Sequence, residues 1–258
     1  MSEDVILKSL SEEGVLTLTF NRPEKKNAFN RPAWAELRDT FISAKDDPKI
    51  ACVILRGAGN DFSSGMDLAD FGGEGDANEH PFYSAQKAVM DFDKPLIGAA
   101  KGIAVGGGAT LLFHCDIIYV GESLRMRLPF VSLGLVPEFA ASYMLQQIIG
   151  SRRAAELFYT AEWIDTARAL ETGIATASFS DEELFAKADS KANEIAQWPI
   201  VSLQATKRCL KLTHKSGLEL ASKEERDGME ALAGGPENME AVMAFIEKRE
   251  PNFKQFRK

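Results

Sequence analysis

The chain has 258 residues, of which 45% are hydrophobic and 26% are charged, and its formal net charge is −8. These values are typical of one large globular domain, or of one domain with a smaller appendage. The acidic balance, with dispersed lysines and arginines, argues against nucleic acid as the main partner, because phosphate backbones require a concentrated basic surface.

Membrane and secretory signals are missing from the sequence. No apolar run approaches the roughly 18 residues that a membrane-spanning helix needs, and the first residues, MSEDVILKSLSEEG, lack the apolar region of a signal peptide. Three cysteines (Cys52, Cys115 and Cys209) are far apart and form no C-x-x-C pair, which is typical of reduced thiols. We therefore expect a cytoplasmic protein that does not bind membranes.

The first part of the chain predicts a hairpin, a helix and a buried strand. Residues 5–20 contain two apolar runs around a turn at EEG, which favours a β-hairpin. A helix is predicted from the second proline of the turn-rich stretch 21–32. The continuous apolar run 50–57 is typical of a buried parallel strand. The Gly-, Asp- and Ser-rich stretch 58–80 is a long loop, and such loops are usually functional or mobile.

Strands and helices continue to alternate in the middle of the chain. We predict a helix around 81–92, a strand within 94–108 that ends at a triple glycine, a helix over 109–115 and a strand over 116–121. This alternation, which continues to about residue 180, indicates an α/β fold.

The last part of the chain is predicted to be helical. From about residue 181 the apolar residues recur at helical spacing almost without strands, and amphipathic helices of this kind pack on a core or on another subunit. We therefore divide the chain into a core, 1–195, and a C-terminal helical region, 196–258.

Several common active-site motifs are absent. The histidines have no metal-ligand spacing, and the sequence contains no G-x-S-x-G elbow and no Walker P-loop. The glycines at 106–108 lack the G-x-G-x-x-G pattern of dinucleotide sites. We expect no metal and no separate cofactor. His114 lies in an apolar helix and is expected to be a core histidine.

Two glycine-bearing segments are candidates for a binding site. They are FSSGMDL (62–68) and AVGGGATL (104–111), of which the second leads directly into a helix. Glycine lets backbone approach a ligand closely, and the first N–H groups of a helix have no partner within it. Two such groups converging on one point would form an oxyanion hole. The alternative interpretation is two tight turns.

Glu138 is the third candidate. It is the sole charged residue in VSLGLVPEFAASYML (131–145) and directly follows a proline. A carboxylate in apolar surroundings costs free energy unless it is paired, hydrogen-bonded or partly protonated. A solvated carboxylate near a helix start is the alternative interpretation.

Five motifs together resemble the crotonase (enoyl-CoA hydratase/isomerase) superfamily. In chain order they are NRPEKKNAF, FSSGMDL, KGIAVGGGATLLFHCDIIYV, LPFVSLGLVPE and FIEKREPNF, and they extend from about residue 14 to the C-terminus. The resemblance implies an α/β spiral of ββα units followed by a helical trimerisation region. It also implies an acyl-CoA substrate, with coenzyme A as part of that substrate, and a homotrimer or a dimer of trimers.

The resemblance assigns roles to the glycine segments. The N–H groups of Met66 and Gly107 would hold the thioester oxygen, and such donors are worth roughly 2.7–4 kcal/mol each against a developing oxyanion. The neighbouring residues of the first segment are expected at the substrate, although Asp67 could instead order its loop: Ser64, Gly65, Asp67 and Leu68.

The resemblance also bears on the reaction. Hydratases of this family hold water between two glutamates, whose positions correspond here to Thr110 and Phe130, and neither residue exchanges protons near pH 7. The place of Glu138 resembles that of the single catalytic glutamate of Δ3,Δ2-enoyl-CoA isomerases. We therefore expect Glu138 to be catalytic and residues 110 and 130 to line the substrate.

Two lysines are expected near coenzyme A. Lys26 (or its neighbour Lys25) could meet the phosphates, and Lys248 resembles a family position that contacts the adenine end from a neighbouring subunit. Each could equally be a surface lysine. The leading hypothesis is a 3-enoyl-CoA to 2-enoyl-CoA isomerase of fatty acid metabolism. A hydratase, another crotonase activity and a non-catalytic CoA-ester-binding subunit are the alternatives.

Overall fold

A computed structural model describes residues 4–67, 70 and 81–257. Within those residues the strands are β1 (Ile6–Leu10), β2 (Val15–Phe20), β3 (Cys52–Gly57), β4 (Leu96–Ala100), β5 (Ile103–Val105), β6 (Ile117–Gly121), β7 (Arg125–Arg127), β8 (Trp163–Asp165) and β9 (Ala177–Phe179). The α-helices are α1 (Arg31–Asp46), α2 (Pro81–Met90), α3 (Gly107–Leu112), α4 (Ala141–Ile149), α5 (Ser151–Thr160), α6 (Thr166–Thr172), α7 (Leu184–Ala196), α8 (Ile200–Leu212), α9 (Lys215–Leu232) and α10 (Pro236–Glu247).

The main sheet has six strands in the order β1-β2-β3-β4-β6-β9. The predicted hairpin is confirmed as the antiparallel pair β1–β2, and the remaining neighbours are parallel. β3 is buried on both faces: Val53 and Leu55 face the large core, whereas Ile54 faces a smaller cluster beneath α7. This two-sided burial explains why the strand is apolar without alternation.

The predicted strand within 94–108 is two strands that belong to different sheets. β4 lies in the main sheet, while β5 joins β7 and β8 in a second sheet of three strands. The chain turns at Gly102, whose φ is +59°, and Asp61 accepts a 2.8 Å hydrogen bond from the N–H of Ile103 just beyond it. The turn brings β5 beside Ser63, which pairs with Ala104.

Helix α1 starts where the sequence predicts. The side chain of Asn30 caps it by accepting a 3.0 Å hydrogen bond from the N–H of Ala33, and a proline occupies its first turn. Its inner face buries Trp34, Leu37 and Phe41 completely or almost completely. α1 therefore presents an aromatic ring, Trp34, to the site described below.

The C-terminal helices pack on the core of the same chain. Lys207 of α8 is almost fully buried, and its Nζ donates to the carbonyl oxygen of Lys94 and to Oδ2 of Asp116, each at 2.8 Å. Asp116 also accepts the N–H of Leu96 at 2.8 Å, so it acts as a structural residue. The use of residues 196–258 for oligomerisation stays a prediction. In the described ranges, no helix is long and apolar enough to cross a membrane.

Lys207→Met tests whether this buried contact anchors α8. The substitution removes both hydrogen bonds and leaves the carbonyl and the carboxylate without their donor, so we expect the free energy of unfolding to fall by about 1–3 kcal/mol. Urea denaturation measures this change. Lys215→Met, at an exposed position on α9, is the control and should change it by less than about 0.5 kcal/mol. Equal stability of the two variants would contradict the anchor.

Candidate active site

The segment around Met66 is held by backbone pairing that leaves one N–H group unused. Met66 forms an isolated parallel bridge with Phe29. The bridge consists of Phe29 N–H to Gly65 O at 2.7 Å and Asp67 N–H to Phe29 O at 2.9 Å. The N–H of Met66 itself takes no part, and it has no backbone acceptor within the described parts of the chain. An N–H group without a main-chain partner is what the predicted oxyanion role requires.

Gly65 brings this segment against the second glycine segment. Its φ is +88°, and a Cβ atom built on it would lie 2.6 Å from the carbonyl oxygen of Val105 and 3.2 Å from the backbone nitrogen of Gly107. A side chain at position 65 would therefore force the two segments apart, and the backbone conformation also favours glycine.

Gly107 is the first residue of α3. It follows Gly106, whose φ is +52°. The N–H groups at the start of a helix have no intrahelical acceptor, and that of Gly107 has no backbone acceptor among the described residues. The structure thus brings together the two glycine segments whose N–H groups sequence analysis assigns to an oxyanion hole. Their binding of a thioester oxygen stays a prediction.

Glu138 lies in an irregular stretch between the 3-10 helix Val131–Leu133 and α4. The two residues after it, Phe139 and Ala140, have φ angles of 64° and 52°, a conformation that non-glycine residues adopt at a cost of about 1–2 kcal/mol each. His114 holds this turn because its Nε2 forms a 2.7 Å hydrogen bond with the carbonyl oxygen of Phe139, and its ring packs at a tilt against the Phe139 ring, with the centroids 4.6 Å apart. Burial lowers the pKa of His114 to about 4, so the ring is neutral at pH 7.

The carboxylate of Glu138 reaches the start of α3. Oε1 lies 3.0 Å from the point where a Cβ atom of Gly107 would be, and ring carbons of Trp34 lie 3.4–3.5 Å from the same point. The missing side chain at 107 therefore makes room for the carboxylate beside the predicted oxyanion donor. The side chain is half-buried in a cleft and precedes α4, which begins at Ala141, so Glu138 does not lie in the first turn of that helix.

The cleft beside Glu138 has an empty volume of about 230 Å³. It lies between α2, α9 and the Glu138 turn, and its lining consists of Phe82, Tyr83, Gln86, Glu138, Phe139, Ser222, Glu225, Arg226 and Met229. On the exposed side of the cleft, the guanidinium of Arg226 lies 4.5 Å from the ring centroid of Tyr83, so a cation–π contact connects α9 to α2.

Electrostatics in the cleft favour a protonated Glu138. Burial first, and then the nearby carboxylate of Glu225, raise the pKa of Glu138 to about 8. Burial likewise raises the pKa of Glu225, against a hydrogen bond that its Oε1 accepts from the N–H of Ser142 at 2.8 Å. A carboxyl group with a pKa near neutrality can both take up and return a proton under ordinary conditions.

Of the other predicted residues, Ser64 and Asp67 of the first glycine segment flank Gly65 and Met66. The N–H of Ser64 donates to the carbonyl oxygen of Lys26 at 2.9 Å, and the Lys26 side chain is exposed. Asp67 pairs with Arg22 at 2.8 Å, and both side chains are mostly buried, so it orders its loop. Leu68 lies outside the described residues.

The remaining predicted residues do not line the described cleft. Thr110 and Phe130 are buried in the core, and the Thr110 hydroxyl points to the carbonyl of Gly107 at 3.4 Å. Lys248 is exposed at the end of α10. Contacts of these residues with a substrate, and of Lys26 and Lys248 with coenzyme A, stay predictions.

Sequence reasoning missed the residues that α1, α2 and α9 contribute. Trp34 and Gln86 follow ordinary amphipathic patterns, and Glu225 lies in the charged run KEERD, where nothing distinguishes a buried glutamate from a solvated one. No set of three metal-binding side chains clusters in the described ranges.

The chain is similar to known proteins in both sequence and fold. The family model described as enoyl-CoA hydratase/isomerase matches residues 11–257. The chain is 31% identical to 1,2-epoxyphenylacetyl-CoA isomerase of Escherichia coli (strain K12), over 94% of this chain and 95% of the relative. It is 29% identical to 2,3-dehydroadipyl-CoA hydratase of the same organism, over 98% and 99% of the two chains. A crystal structure of an enoyl-CoA hydratase/isomerase from Pseudoalteromonas atlantica T6c matches with a TM-score of 0.92 at 35% identity, over 96% and 99%.

The chain belongs to the enoyl-CoA hydratase/isomerase family. It is therefore an enzyme that processes acyl-CoA thioesters, and the predicted crotonase-like α/β fold is confirmed. The similar proteins include both an isomerase and a hydratase. Family membership alone therefore does not distinguish between these two reactions.

Gly107→Ala tests the contact between α3 and Glu138. The added methyl would lie 3.0 Å from Oε1 and push the carboxylate aside, so we expect kcat/KM for an enoyl-CoA substrate to fall by about tenfold to a hundredfold. Because alanine is favourable in a helix, the melting temperature should change little. Steady-state kinetics and thermal unfolding measure the two effects.

Gly150→Ala is the matched control for this substitution. Its φ is +83° and a Cβ there meets nothing within 4 Å, so the variant should lose stability but keep its kcat/KM. Unchanged kinetics in Gly107→Ala would show that the contact does not position the carboxylate.

Proposed function

We propose that this enzyme shifts the double bond of a 3-enoyl-CoA to give the 2-enoyl-CoA, with Glu138 carrying the proton. The observation that supports the proposal most directly is the approach of the Glu138 carboxylate to Gly107. A carboxyl group at this place would face the carbons next to a thioester whose oxygen is bound by the N–H groups of Met66 and Gly107.

The proposed reaction needs one carboxyl group. The carboxylate of Glu138 removes a proton from C2, and the electrons of the C2–H bond delocalise into the thioester to give a dienolate. The two backbone donors stabilise the negative charge on the thioester oxygen. The protonated Glu138 then returns the proton to C4, which places the double bond between C2 and C3 and restores the carboxylate.

Hydration by the two-glutamate route is the main alternative. It has less support, because positions 110 and 130 carry threonine and phenylalanine, and both side chains are buried in the core. One of the similar proteins is nevertheless named as a hydratase. The third interpretation, a non-catalytic CoA-ester-binding protein, does not agree with membership of this enzyme family, and the raised pKa of Glu138 also favours a proton-transfer role over it.

We further infer a homotrimer or a dimer of trimers that acts in the cytoplasm, in which Lys26 and Lys248 bind coenzyme A. Large apolar side chains that are exposed on the C-terminal helices and just before them support an association role: Trp198, Val201, Leu212, Leu220, Phe245 and Ile246. Sedimentation of the purified protein distinguishes a trimer from a monomer or a hexamer.

Glu138→Gln tests the proton carrier. The amide cannot accept the C2 proton, so kcat for 3-enoyl-CoA isomerisation should fall by about a hundredfold to ten-thousandfold. The absorbance of the 2-enoyl thioester reports the rate. Glu224→Gln, at an exposed position on α9, is the control and should keep the wild-type rate. Full activity in Glu138→Gln refutes its role as the base, and wild-type protein that binds acyl-CoA without isomerising it refutes the proposed reaction.

The pH dependence of kcat/KM tests the state of the same carboxyl group. Since the free enzyme must present Glu138 as a carboxylate and its pKa is raised to about 8, activity should rise tenfold per pH unit below pH 8 and level off above it. A profile that is already flat from pH 5.5 to pH 7 would mean that Glu138 titrates as an ordinary exposed glutamate.

A further inference from the structure

The cleft beside Glu138 contains a hydrogen-bond donor and an acceptor that the protein does not use. Within the described residues, three buried side-chain polar atoms have no hydrogen-bond partner: Trp34 Nε1, Gln86 Nε2 and Glu225 Oε2. Gln86 and Glu225 both line the cleft. An unpaired buried polar group costs stability, so such groups in one cleft point to a ligand that pairs with them.

The two groups come from different elements and differ in chemistry. Gln86, on α2, is 5% exposed and offers an amide N–H, whereas Glu225, on α9, is 6% exposed and offers a carboxylate oxygen. The other oxygen of Glu225 already accepts the N–H of Ser142, which fixes the orientation of the carboxylate. The lining of the cleft thus contributes an unpaired donor from Gln86 and an unpaired acceptor from Glu225, whose carboxylate is held by Ser142.

We propose that Gln86 and Glu225 recognise a hydroxyl group on the acyl chain, beyond the carbons that react. This inference rests on the proposed function to the extent that the cleft holds the acyl chain. A hydroxyl oxygen accepts from the Gln86 amide while its proton is donated to Glu225, so one substituent satisfies both groups. A plain alkyl chain leaves both unpaired, and a carboxylate on the chain is repelled by Glu225.

The apolar part of the cleft fits the rest of such a chain. Phe82, Phe139 and Met229 line it together with the polar pair, so an alkyl segment next to the hydroxyl would contact apolar side chains. A few placed polar groups in an otherwise apolar pocket usually determine which substrate is preferred. Gln86 and Glu225 are therefore specificity residues, separate from the proton carrier.

Binding of unreactive ligands tests the proposal without turnover. Calorimetry on the purified protein compares hexanoyl-CoA with 4-, 5- and 6-hydroxyhexanoyl-CoA, which are saturated and cannot isomerise; the 4- and 5-hydroxy thioesters are used freshly prepared, because they can lactonise and release coenzyme A. We expect at least one hydroxylated ligand to bind at least about tenfold more tightly than hexanoyl-CoA, because its hydroxyl group forms two buried hydrogen bonds that hexanoyl-CoA cannot form. If none of the three binds more than about twofold tighter, the proposal is wrong and the groups pair with water instead.

Two variants assign the preference to the pair. Gln86→Met removes the donor with little change in volume, and Glu225→Gln keeps the bond to Ser142 but replaces the free acceptor with a donor. In both variants, the dissociation constant of hexanoyl-CoA divided by that of the preferred hydroxylated ligand should fall towards one. Glu224→Gln should keep the wild-type ratio. Gln86→Met should also melt no lower than the wild type, because it removes an unpaired buried group. A lower melting temperature with an unchanged ratio would make Gln86 a structural residue.

The outcomes separate this inference from the proposed reaction. Isomerase activity without any preference for a hydroxylated ligand overturns the inference alone. A clear preference without isomerisation of any 3-enoyl-CoA overturns the reaction and supports the polar pair. If neither hexanoyl-CoA nor its hydroxylated forms bind, both fail.

Discussion

Glu138 can approach the amide groups of α3 because position 107 carries no side chain. The same restriction recurs around it, since a Cβ on Gly65 would meet the backbone of Val105 and a Cβ on Gly108 would lie 2.5 Å from the carbonyl oxygen of Ser63. The three glycines therefore allow the two glycine segments and the carboxylate of Glu138 to approach one another more closely than residues with side chains would permit. The geometry of the site follows from this close packing of main chain.

The surroundings of Glu138 combine electrostatic and conformational features that each cost free energy. The Glu138 carboxyl group is desolvated near a second carboxyl, and the turn after it has two non-glycine residues in the left-handed region. Such features persist only where the surrounding structure fixes them. Here the fixing contacts are the bond from His114 to Phe139 and the contact of Glu225 with Ser142, while a large core supplies the stability. A raised pKa in a strained, well-supported turn is typical of a site selected for chemistry.

Sequence patterns predicted the features of the fold and of the site that depend on residues close together in the chain. The hairpin β1–β2, the buried strand β3, the start of α1 and both glycine segments follow from turn residues, periodicity and backbone freedom, and the family motifs pointed to Glu138. The break at Gly102 was missed because a single apolar run continues across two sheets. Gln86 and Glu225 were missed because their roles depend on helices that are far apart in sequence, and Glu225 is embedded among charged neighbours.

Helix α9 forms one wall of the cleft, so most of the residues proposed to carry the chemistry and those proposed to select the substrate lie on different elements. The groups proposed to move the proton and hold the oxyanion belong to turns of the core, whereas one wall of the acyl cleft belongs to a helix with a largely solvent-exposed outer face. Substitutions on the inner face of α9, other than at Glu225, which holds the turn after Glu138 through Ser142, can therefore change the shape and polarity of the cleft while the reacting geometry stays intact. Within a family whose members use one backbone scaffold on many thioesters, this helix offers a place where substrate range can diverge through a few replacements.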